Sequence, residues 1–363
     1  MQRVYMKANQ VERIITKTFL VNGWIHLIFL MLFLAAACGL FDSKGPAEPA
    51  PGRRDYTWTV DSVYSAPGGW MNAIWGASAN DVWIGSAGGL DRLWHYDGKK
   101  WKPWPKHMPS IESLYGFASD NIWMGTMNGS IYHYDGKEWS KVYTYTIQGM
   151  GEPDIFDLWG TSPSNIYAVG TVLPDEGPPY RGFVLHYDGK NWKQLLVTDF
   201  GVQLQRVRDT KQGVFIRGVK SVYVGGAPDT LVLYQYSKGR LHELLSMPEN
   251  DESAMIWVNN IGGNAYILNR KELLRYSKGK FIPVTEFPSP KTVYSFFGRS
   301  IKDVFVITSD GLLHYNGTDT KFLIDIIAQP NALLLKNDVF FFVNDYKGGT
   351  NLIYHGTLTP EEE

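Results

Sequence analysis

A unit of about 40 residues recurs along this 363-residue chain, and its clearest copies span residues 74–101, 114–139 and 158–192. Repetition at this period constrains the fold more than any other feature, because a single repeat cannot bury its own hydrophobic face and must stack on its neighbours. A tyrosine near the end of each unit marks seven copies, 38 to 53 residues apart: Tyr96, Tyr134, Tyr187, Tyr236, Tyr276, Tyr315 and Tyr354. Seven copies at this spacing predict an all-β fold, a seven-bladed β-propeller of four-stranded antiparallel blades.

The second copy shows how a unit divides into strands. Alternating apolar and small residues predict strands over Ile111–Phe117, Asn121–Thr126 and Ser130–Tyr134, with a fourth from about Glu138. The Asp135-Gly136 pair between the last two strands predicts a two-residue hairpin turn. A large apolar residue follows five of the seven tyrosines by five positions, and we expect it to pack between neighbouring blades: Trp101, Trp139, Trp192, Leu241 and Phe281.

The seventh unit lacks its fourth strand, since only nine residues, HGTLTPEEE, follow Tyr354. The alternating segment Tyr56–Tyr64 has no partner in its own vicinity and carries Trp58 where the fourth strand of other units has an aromatic residue. We therefore expect this N-terminal strand to complete the last blade and close the ring, which also removes an exposed sheet edge. The propeller would then occupy residues 56–363.

The repeat pattern W-G-x-S/T-x-x-D/N-V/I-W/Y-x-x-G, followed by H-Y-D-G-x-x-W, resembles that of bacterial secreted and surface β-propellers. Its D-G-x-x-W end is similar, more distantly, to the BNR-type repeat of photosystem II assembly factors. The resemblance covers roughly 300 residues and is clear in the first three units. It implies the propeller fold and export from the cytoplasm, and it implies no reaction, because propellers serve many functions.

The N-terminal segment has the order of charges and apolar residues of a secretory signal. Residues 1–37 carry a net charge of +3 and end in an apolar run from Trp24 to Ala37, WIHLIFLMLFLAAA. Leu34-Ala35-Ala36-Ala37-Cys38 resembles the bacterial lipobox, which implies cleavage before Cys38 and its lipidation. The alternative is an uncleaved anchor over Phe19–Ala37. Either interpretation places the remainder outside the cytoplasm, with residues 38–55 as a disordered tether between the anchor and the propeller.

Composition excludes several classes of function. The formal net charge is −1 and Cys38 is the single cysteine, so a basic nucleic-acid-binding stripe, an intramolecular disulfide and a cysteine-rich zinc site are not expected. No cofactor motif and no Asp-box, nucleophile elbow or P-loop occurs in the sequence. Histidines before the tyrosine recur at one position of separate blades, which indicates a structural role rather than a shared metal: His95, His133, His186 and His314.

Three long connections fall on adjacent units, at Val142–Asp154, Thr171–Gly182 and Asp199–Gln212. The first and third join one blade to the next, and the second joins the middle strands of a blade, so all three emerge on the same face. Loops of this length in a compact domain are often functional. They contain residue types common at binding hot spots, and we take the following as candidate binding residues: Tyr143, Tyr145, Met150, Tyr180, Arg181, Phe200, Arg206 and Arg208.

Two functions from different classes fit these features. The first is a non-catalytic binding or assembly scaffold: a monomeric propeller anchored to the membrane of the cell envelope by its lipid, which uses the loop face to bind an envelope protein or a glycan. The second is a carbohydrate-active enzyme, a glycosidase or lyase, with its site in the central funnel. Inward-facing carboxylates beside an arginine would favour the enzyme, and a funnel of small and apolar residues would favour the scaffold.

Overall fold

Short antiparallel strands account for all regular secondary structure in the part of the chain that the computed structural model describes, which is residues 48–64, 68–221, 228–250, 253–288, 292–345 and 347–360. Except for residues 48 and 49, this part falls within Ala50–Glu363, one of the two units into which the chain divides. Cys38 and the signal segment lie outside the described residues. Within those ranges no helix is long and apolar enough to cross a membrane.

The strands form a β-propeller of repeated meanders. In each meander the first strand lies nearest the centre of the ring, and the following strands lie progressively further out. The first sheet contains β2 (Trp70–Ser78), β3 (Asp81–Ala87), β4 (Leu93–Tyr96) and β5 (Trp101–Pro103). The second contains β6 (Ile111–Ala118), β7 (Asn121–Thr126), β8 (Ser130–Tyr134) and β9 (Trp139–Thr144). These bounds agree with the strands that the sequence predicts for the second unit.

An eight-stranded sheet follows. Its first half is β10 (Asp154–Ser162), β11 (Asn165–Val172), β12 (Arg181–Tyr187) and β13 (Trp192–Val197). Its second half is β14 (Val202–Thr210), β15 (Gly213–Lys220), β16 (Thr230–Ser237) and β17 (Arg240–Pro248). A single parallel pair, Arg181 with Val202, joins β12 to β14, whereas the pairs within each half are antiparallel.

Three more four-stranded sheets complete the ring. One contains β18 (Ile256–Ile261), β19 (Asn264–Asn269), β20 (Glu272–Ser277) and β21 (Lys280–Glu286). The next contains β22 (Val293–Ser300), β23 (Asp303–Thr308), β24 (Gly311–Tyr315) and β25 (Thr320–Ile324). The last contains β26 (Ala332–Leu334), β27 (Asp338–Val343) and β28 (Thr350–Leu358) together with β1 (Tyr56–Tyr64). In the last sheet β1 pairs with β28 in continuous antiparallel register from Tyr56–Leu358 to Tyr64–Thr350. The N-terminal strand thus pairs with the C-terminal one as predicted.

The hydrophobic core lies between sheets, where aromatic residues of one sheet pack on the next. Trp139 of the second sheet meets Trp83 of the first edge-on, with ring centroids 5.7 Å apart, and Trp192 meets Trp123 in the same way at 5.8 Å. Glycine allows this approach at the inner strands: a Cβ on Gly125 would lie 2.6 Å from Cγ2 of Ile155 on β10. The predicted packing of the recurrent aromatic position between blades is confirmed at Trp139 and Trp192.

The Asp-Gly turns are longer than predicted. Tyr134 pairs with Trp139, which leaves four residues in the turn, and only Gly136 among them has positive φ, at 89°. The Asp135 carboxylate accepts hydrogen bonds from the backbone N–H groups of Lys137 and Glu138, both at 2.9 Å, and this side-chain cap stabilises the longer turn. Two-residue turns with two positive φ angles occur instead at Lys238-Gly239 and Lys278-Gly279.

The described end of the tether also contacts the propeller. Although the tether was expected to continue to Asp55, the Gly52 N–H donates to the Lys302 carbonyl at 2.6 Å. Arg54 forms an ion pair with Asp319 at 2.7 Å and donates from Nε to Nδ1 of His314 at 3.1 Å. These contacts hold the chain against the β22–β25 sheet before it enters β1.

The closing strand provides a matched test of what closure contributes to stability. Val63 of β1 is buried, 4% exposed, against Met71, Phe342 and Ile353, whereas Val60 of the same strand is 51% exposed. We expect Val63→Ala to lower the free energy of unfolding by about 2 kcal/mol, because two buried methyl groups are lost and a cavity is left. Val60→Ala should change it by no more than about 0.5 kcal/mol. Urea denaturation measures the free energy of unfolding of both variants. Equal effects of the two substitutions would contradict the burial of Val63 between the last sheet and the first.

Candidate functional site

The three loops predicted for the binding face are close together, but they are shorter than expected. Strand ends leave 145–153 between β9 and β10, 173–180 between β11 and β12, and 198–201 between β13 and β14 as irregular chain. The prediction that Asp199–Gln212 forms one long loop is wrong, since most of it is strand β14. Its many polar residues resemble those of a solvated loop, although they belong to an inner strand, and Gln205 and Arg206 of that strand line a cavity at the centre of the ring.

Backbone hydrogen bonds join these loops into one surface, which we call the rim (residues 145–153, 173–180 and 198–201). The Gly151 N–H donates to the Leu173 carbonyl at 2.8 Å, and Met150 forms an isolated bridge with Pro174. The Gly201 N–H donates to the Tyr180 carbonyl at 2.7 Å. The three loops therefore form a continuous surface, as a composite site requires.

The predicted binding residues of the rim and its edges differ in exposure. Phe200 projects outward, 57% exposed, and the Arg181 guanidinium lies 5.0 Å from its ring centroid while Nε of Arg181 donates to the Thr198 carbonyl at 2.8 Å. Met150 and Tyr180 are half-buried. Tyr145 is buried, with its hydroxyl donating to Oε1 of Gln194 at 2.8 Å, and its role there is structural. Tyr143 lies on strand β9 and stacks on Trp192.

Arg206 and Arg208 do not lie on the rim. Both are on the innermost strand β14 and are buried, 6% and 5% exposed. Arg208 forms an ion pair with Asp157 at 2.6 Å, donates to Oδ1 of Asn259 at 2.9 Å and lies 4.5 Å from the ring centroid of Trp159. It connects β14 to the neighbouring inner strands β10 and β18, which explains why a charged side chain is found there.

A cavity of about 250 Å³, here called the mouth cavity, opens at the centre of the ring. Its walls come from the first residues of the inner strands, so it lies at the end of the ring where the connections between sheets emerge, as do the rim loops 145–153 and 198–201. The polar side chains that line it are Asn72, Glu112, Ser113, Asp157, Gln205, Arg206, Arg217, Gln329 and Asn331. Of these, the sequence interpretation selected Arg206 alone.

One wall of the mouth cavity carries positive charge. Arg206 and Arg217 lie over the ring of Trp257, with their guanidinium carbons 4.1 and 5.2 Å from its centroid. Burial, together with the neighbouring charge of Arg208, holds the pKa of Arg206 well below its usual value, and burial lowers the pKa of Arg217 to about 10. Both guanidinium groups are therefore charged at neutral pH only at a cost in desolvation.

Carboxyl groups occupy the neighbouring wall. Burial, and secondarily the nearby Asp154, raise the pKa of Glu112 to about 7, although Oε2 of Glu112 accepts a hydrogen bond from Nδ2 of Asn72 at 3.0 Å. Burial, and secondarily Glu152, raise the pKa of Asp154 to about 6. Within the described part of the chain, no three His, Cys, Asp or Glu side chains are grouped to hold a metal ion.

The histidines that recur before the tyrosine bind within their own sheets. Nε2 of His95 and His314 lies 2.8 Å from the carboxylate oxygens of Asp81 and Asp303, at the start of the adjacent strand. His133 and His186 contact the amide oxygens of Asn121 and Asn165 in the same way, at 3.1 and 2.7 Å. The predicted structural role of these histidines agrees with this geometry.

Comparison with known proteins places the chain by fold. No family model and no curated protein matches the sequence. Solved structures do match. YCF48 bound to D1 peptide is 14% identical, with a TM-score of 0.55, and the match covers 84% of this chain and 99% of that chain. YCF48 from Cyanidioschyzon merolae is 12% identical, with a TM-score of 0.54, and the match covers 82% of this chain and 98% of that chain. An oligogalacturonate lyase in complex with manganese matches at 10% identity and TM-score 0.55 over 86% and 99%. Identities this low show the shared propeller fold alone.

The raised pKa of Glu112 predicts a pH-dependent stability. Its folded-state pKa of about 7 exceeds its ordinary value of 4.5, so the folded protein binds a proton that the unfolded chain does not, and this stabilisation is lost as pH rises through 7. Glu112→Gln, which is neutral at every pH, should raise the free energy of unfolding by roughly 1–3 kcal/mol at pH 8 and change it little at pH 5.

Thermal unfolding followed by circular dichroism at the two pH values measures this difference. The matched control is Glu176→Gln, since Glu176 is exposed on loop 173–180. A Glu112→Gln effect of equal size at pH 5 and pH 8 would contradict a buried carboxyl that becomes charged near neutrality.

Proposed function

We propose that this protein is a non-catalytic binding scaffold of the cell envelope, and that its partner, an envelope protein or a glycan, docks on the rim. The observation that carries the proposal is the continuity of the rim: three loops from neighbouring meanders are joined by backbone hydrogen bonds and present Phe200, which is 57% exposed, beside Arg181. A large exposed aromatic residue with an arginine over its ring is typical of binding hot spots.

Two further points support this proposal. A protein of the same fold, YCF48, has been solved bound to a D1 peptide, so the fold is compatible with peptide recognition. The eight-stranded sheet consists of two antiparallel meanders joined by one parallel pair. We take the two halves as separate blades, which gives a monomeric seven-bladed propeller of the exported bacterial type and places the rim on the third blade and the entrance to the fourth.

Attachment to the membrane through a lipidated Cys38 is part of the same proposal. The basic segment, the apolar run and Ala-Ala-Ala-Cys support it. We expect mass spectrometry of the mature protein to find a diacyl group on an N-terminal Cys38, because two acyl chains suffice for stable anchoring. Cys38→Ser should leave the protein uncleaved or free of the membrane, and an intact residue 1–37 segment in the mature wild-type protein would contradict the proposal.

The rim is tested by a pair of exposed phenylalanines. Phe200→Ser should reduce recovery of partners from detergent-solubilised envelope by about tenfold or more, because a central aromatic contact typically contributes 2 kcal/mol or more. Phe322→Ser is the matched control, since Phe322 is 54% exposed on β25, away from the rim. Quantitative mass spectrometry of cross-linked pull-downs, with a glycan array alongside, gives the measurement. Equal recovery with both variants would place the binding surface elsewhere.

A carbohydrate-active enzyme is the second candidate, and one observation favours it. Glu112, with its pKa raised to about 7, is protonated near neutrality as a general acid must be, and it lines the same cavity as Asp157 and two arginines. This candidate requires the purified wild-type protein to release new sugar ends from oligosaccharides. It also requires Glu112→Gln to lose that activity and Phe200→Ser to keep it. For partner binding on the rim the opposite is expected, since Phe200→Ser should then be the variant that loses function.

A further inference from the structure

Arg206 is a buried cation whose hydrogen-bonding capacity is only partly used. It is 6% exposed, and its Nη2 donates to Oδ1 of Asn331. None of the residues that the structure describes accepts a hydrogen bond from its buried Nη1. Leaving a buried donor of a charged group unpaired is costly, so such a group in a native protein requires an explanation.

A second unpaired donor lines the same cavity. The indole Nε1 of Trp257 is buried, and no acceptor for it is found among the described residues. Trp257 and Arg206 both line the mouth cavity, and the Arg206 guanidinium lies over the Trp257 ring at 4.1 Å. Unsatisfied indole groups also occur between sheets elsewhere, but here two unpaired donors and a cavity that can hold a ligand coincide.

The surrounding charges leave this wall positive. The carboxylate whose charge acts on Arg206 is Asp157, and it is paired with Arg208 at 2.6 Å. The carboxylate whose charge acts on Arg217 is Glu249, which forms no ion pair with it among the described residues. Arg217 donates to Oε1 of Gln205 and to the Ile256 carbonyl, both neutral acceptors. Among the ion pairs of the described residues, neither Arg206 nor Arg217 has a carboxylate partner. An anion that enters the cavity would compensate the charges of Arg206, which is buried, and of Arg217, which is half-buried.

We propose that the mouth cavity binds the carboxylate of a sugar acid, with Arg206 and Arg217 as the groups that hold the anion. A carboxylate is the group that a guanidinium fork binds best, and the Trp257 indole adds a donor. The rest of the wall suits hydroxyl groups, since Asn72, Glu112 and Gln205 place amide and carboxyl groups along a cavity of about 250 Å³. This site is separate from the rim, and it does not depend on the partner proposed there.

The test uses the purified full-length protein and small probes. D-glucuronate and D-galacturonate are titrated into the protein by calorimetry, each beside its neutral parent sugar, with N-acetyl-L-alanine as a carboxylate that is not a sugar. We expect at least one uronate to bind about tenfold or more tightly than its parent sugar and than N-acetyl-L-alanine. Equal binding of uronate and parent sugar, or no binding of either uronate, would overturn the proposal. Binding of N-acetyl-L-alanine alone would overturn it in favour of a peptide C-terminus.

Substitutions then assign the anion to Arg206. Arg206→Met should weaken uronate binding by about tenfold or more, while the unfolding temperature falls by no more than a few degrees, because an apolar side chain replaces an uncompensated buried charge. Arg206→Lys keeps the charge without the fork and should weaken binding by a smaller factor. It also serves as the test if the methionine variant does not fold. Arg240→Met, on an exposed residue of β17, is the matched control. Unchanged uronate binding in a folded Arg206 variant would overturn the assignment.

Discussion

Pairing of the first strand with the last is the constraint on which the rest of the structure depends. Each sheet buries its faces only against its neighbours, so the ring has a complete core only when the last sheet meets the first. β1 supplies the outer strand of that sheet by nine residue pairs with β28, across almost 300 residues of chain. Val63 of β1 then joins Met71 and Ile74 of the first sheet to Phe342 and Ile353 of the last. Immediately before β1, Gly52 and Arg54 bind the chain to Lys302 and Asp319.

In five of the described meanders a second recurrent interaction connects neighbouring strands. A histidine on the third strand contacts an Asp or Asn at the start of the second, and its ring packs against an aromatic residue two positions further along that strand, as His95 does on Trp83 at 4.2 Å. His355 and Asp338 repeat the arrangement in the closing sheet, with Phe340 stacked on the imidazole at 4.0 Å. The Asp or Asn in the repeat motif is therefore selected as an acceptor for the histidine and, at Asp81 and Asn121, for the tryptophan indole as well.

Sequence was informative wherever the repeat determines the local structure. The strands of the second unit, the packing of Trp139 and Trp192 between sheets and the partner of Tyr56–Tyr64 all follow from alternation and spacing. Prediction failed at Val202–Thr210, where VQLQRVRDT places polar side chains at alternate positions. Alternation of this kind indicates a strand with one solvated face, but in a propeller the innermost strands line a polar channel at the centre of the ring. The long spacing from Tyr187 to Tyr236 instead suggests a loop insertion at Asp199–Gln212, and this is why the sequence analysis assigns Arg206 and Arg208 to a loop.

In a repeat fold, residues that recur and residues that do not recur have different roles. Positions that recur are occupied by residues that serve the packing of the sheets, such as the glycine that allows the next inner strand to approach and the histidine that joins two strands in five of the meanders. The charged residues of the mouth cavity do not recur: the arginines come from β14 and β15, and Glu112 comes from β6. Desolvation makes a buried charge unfavourable, and packing between blades does not require these groups. Departure from the repeat at positions that face the central channel is therefore the sequence signal for the site, and it becomes readable once the register of each inner strand is known.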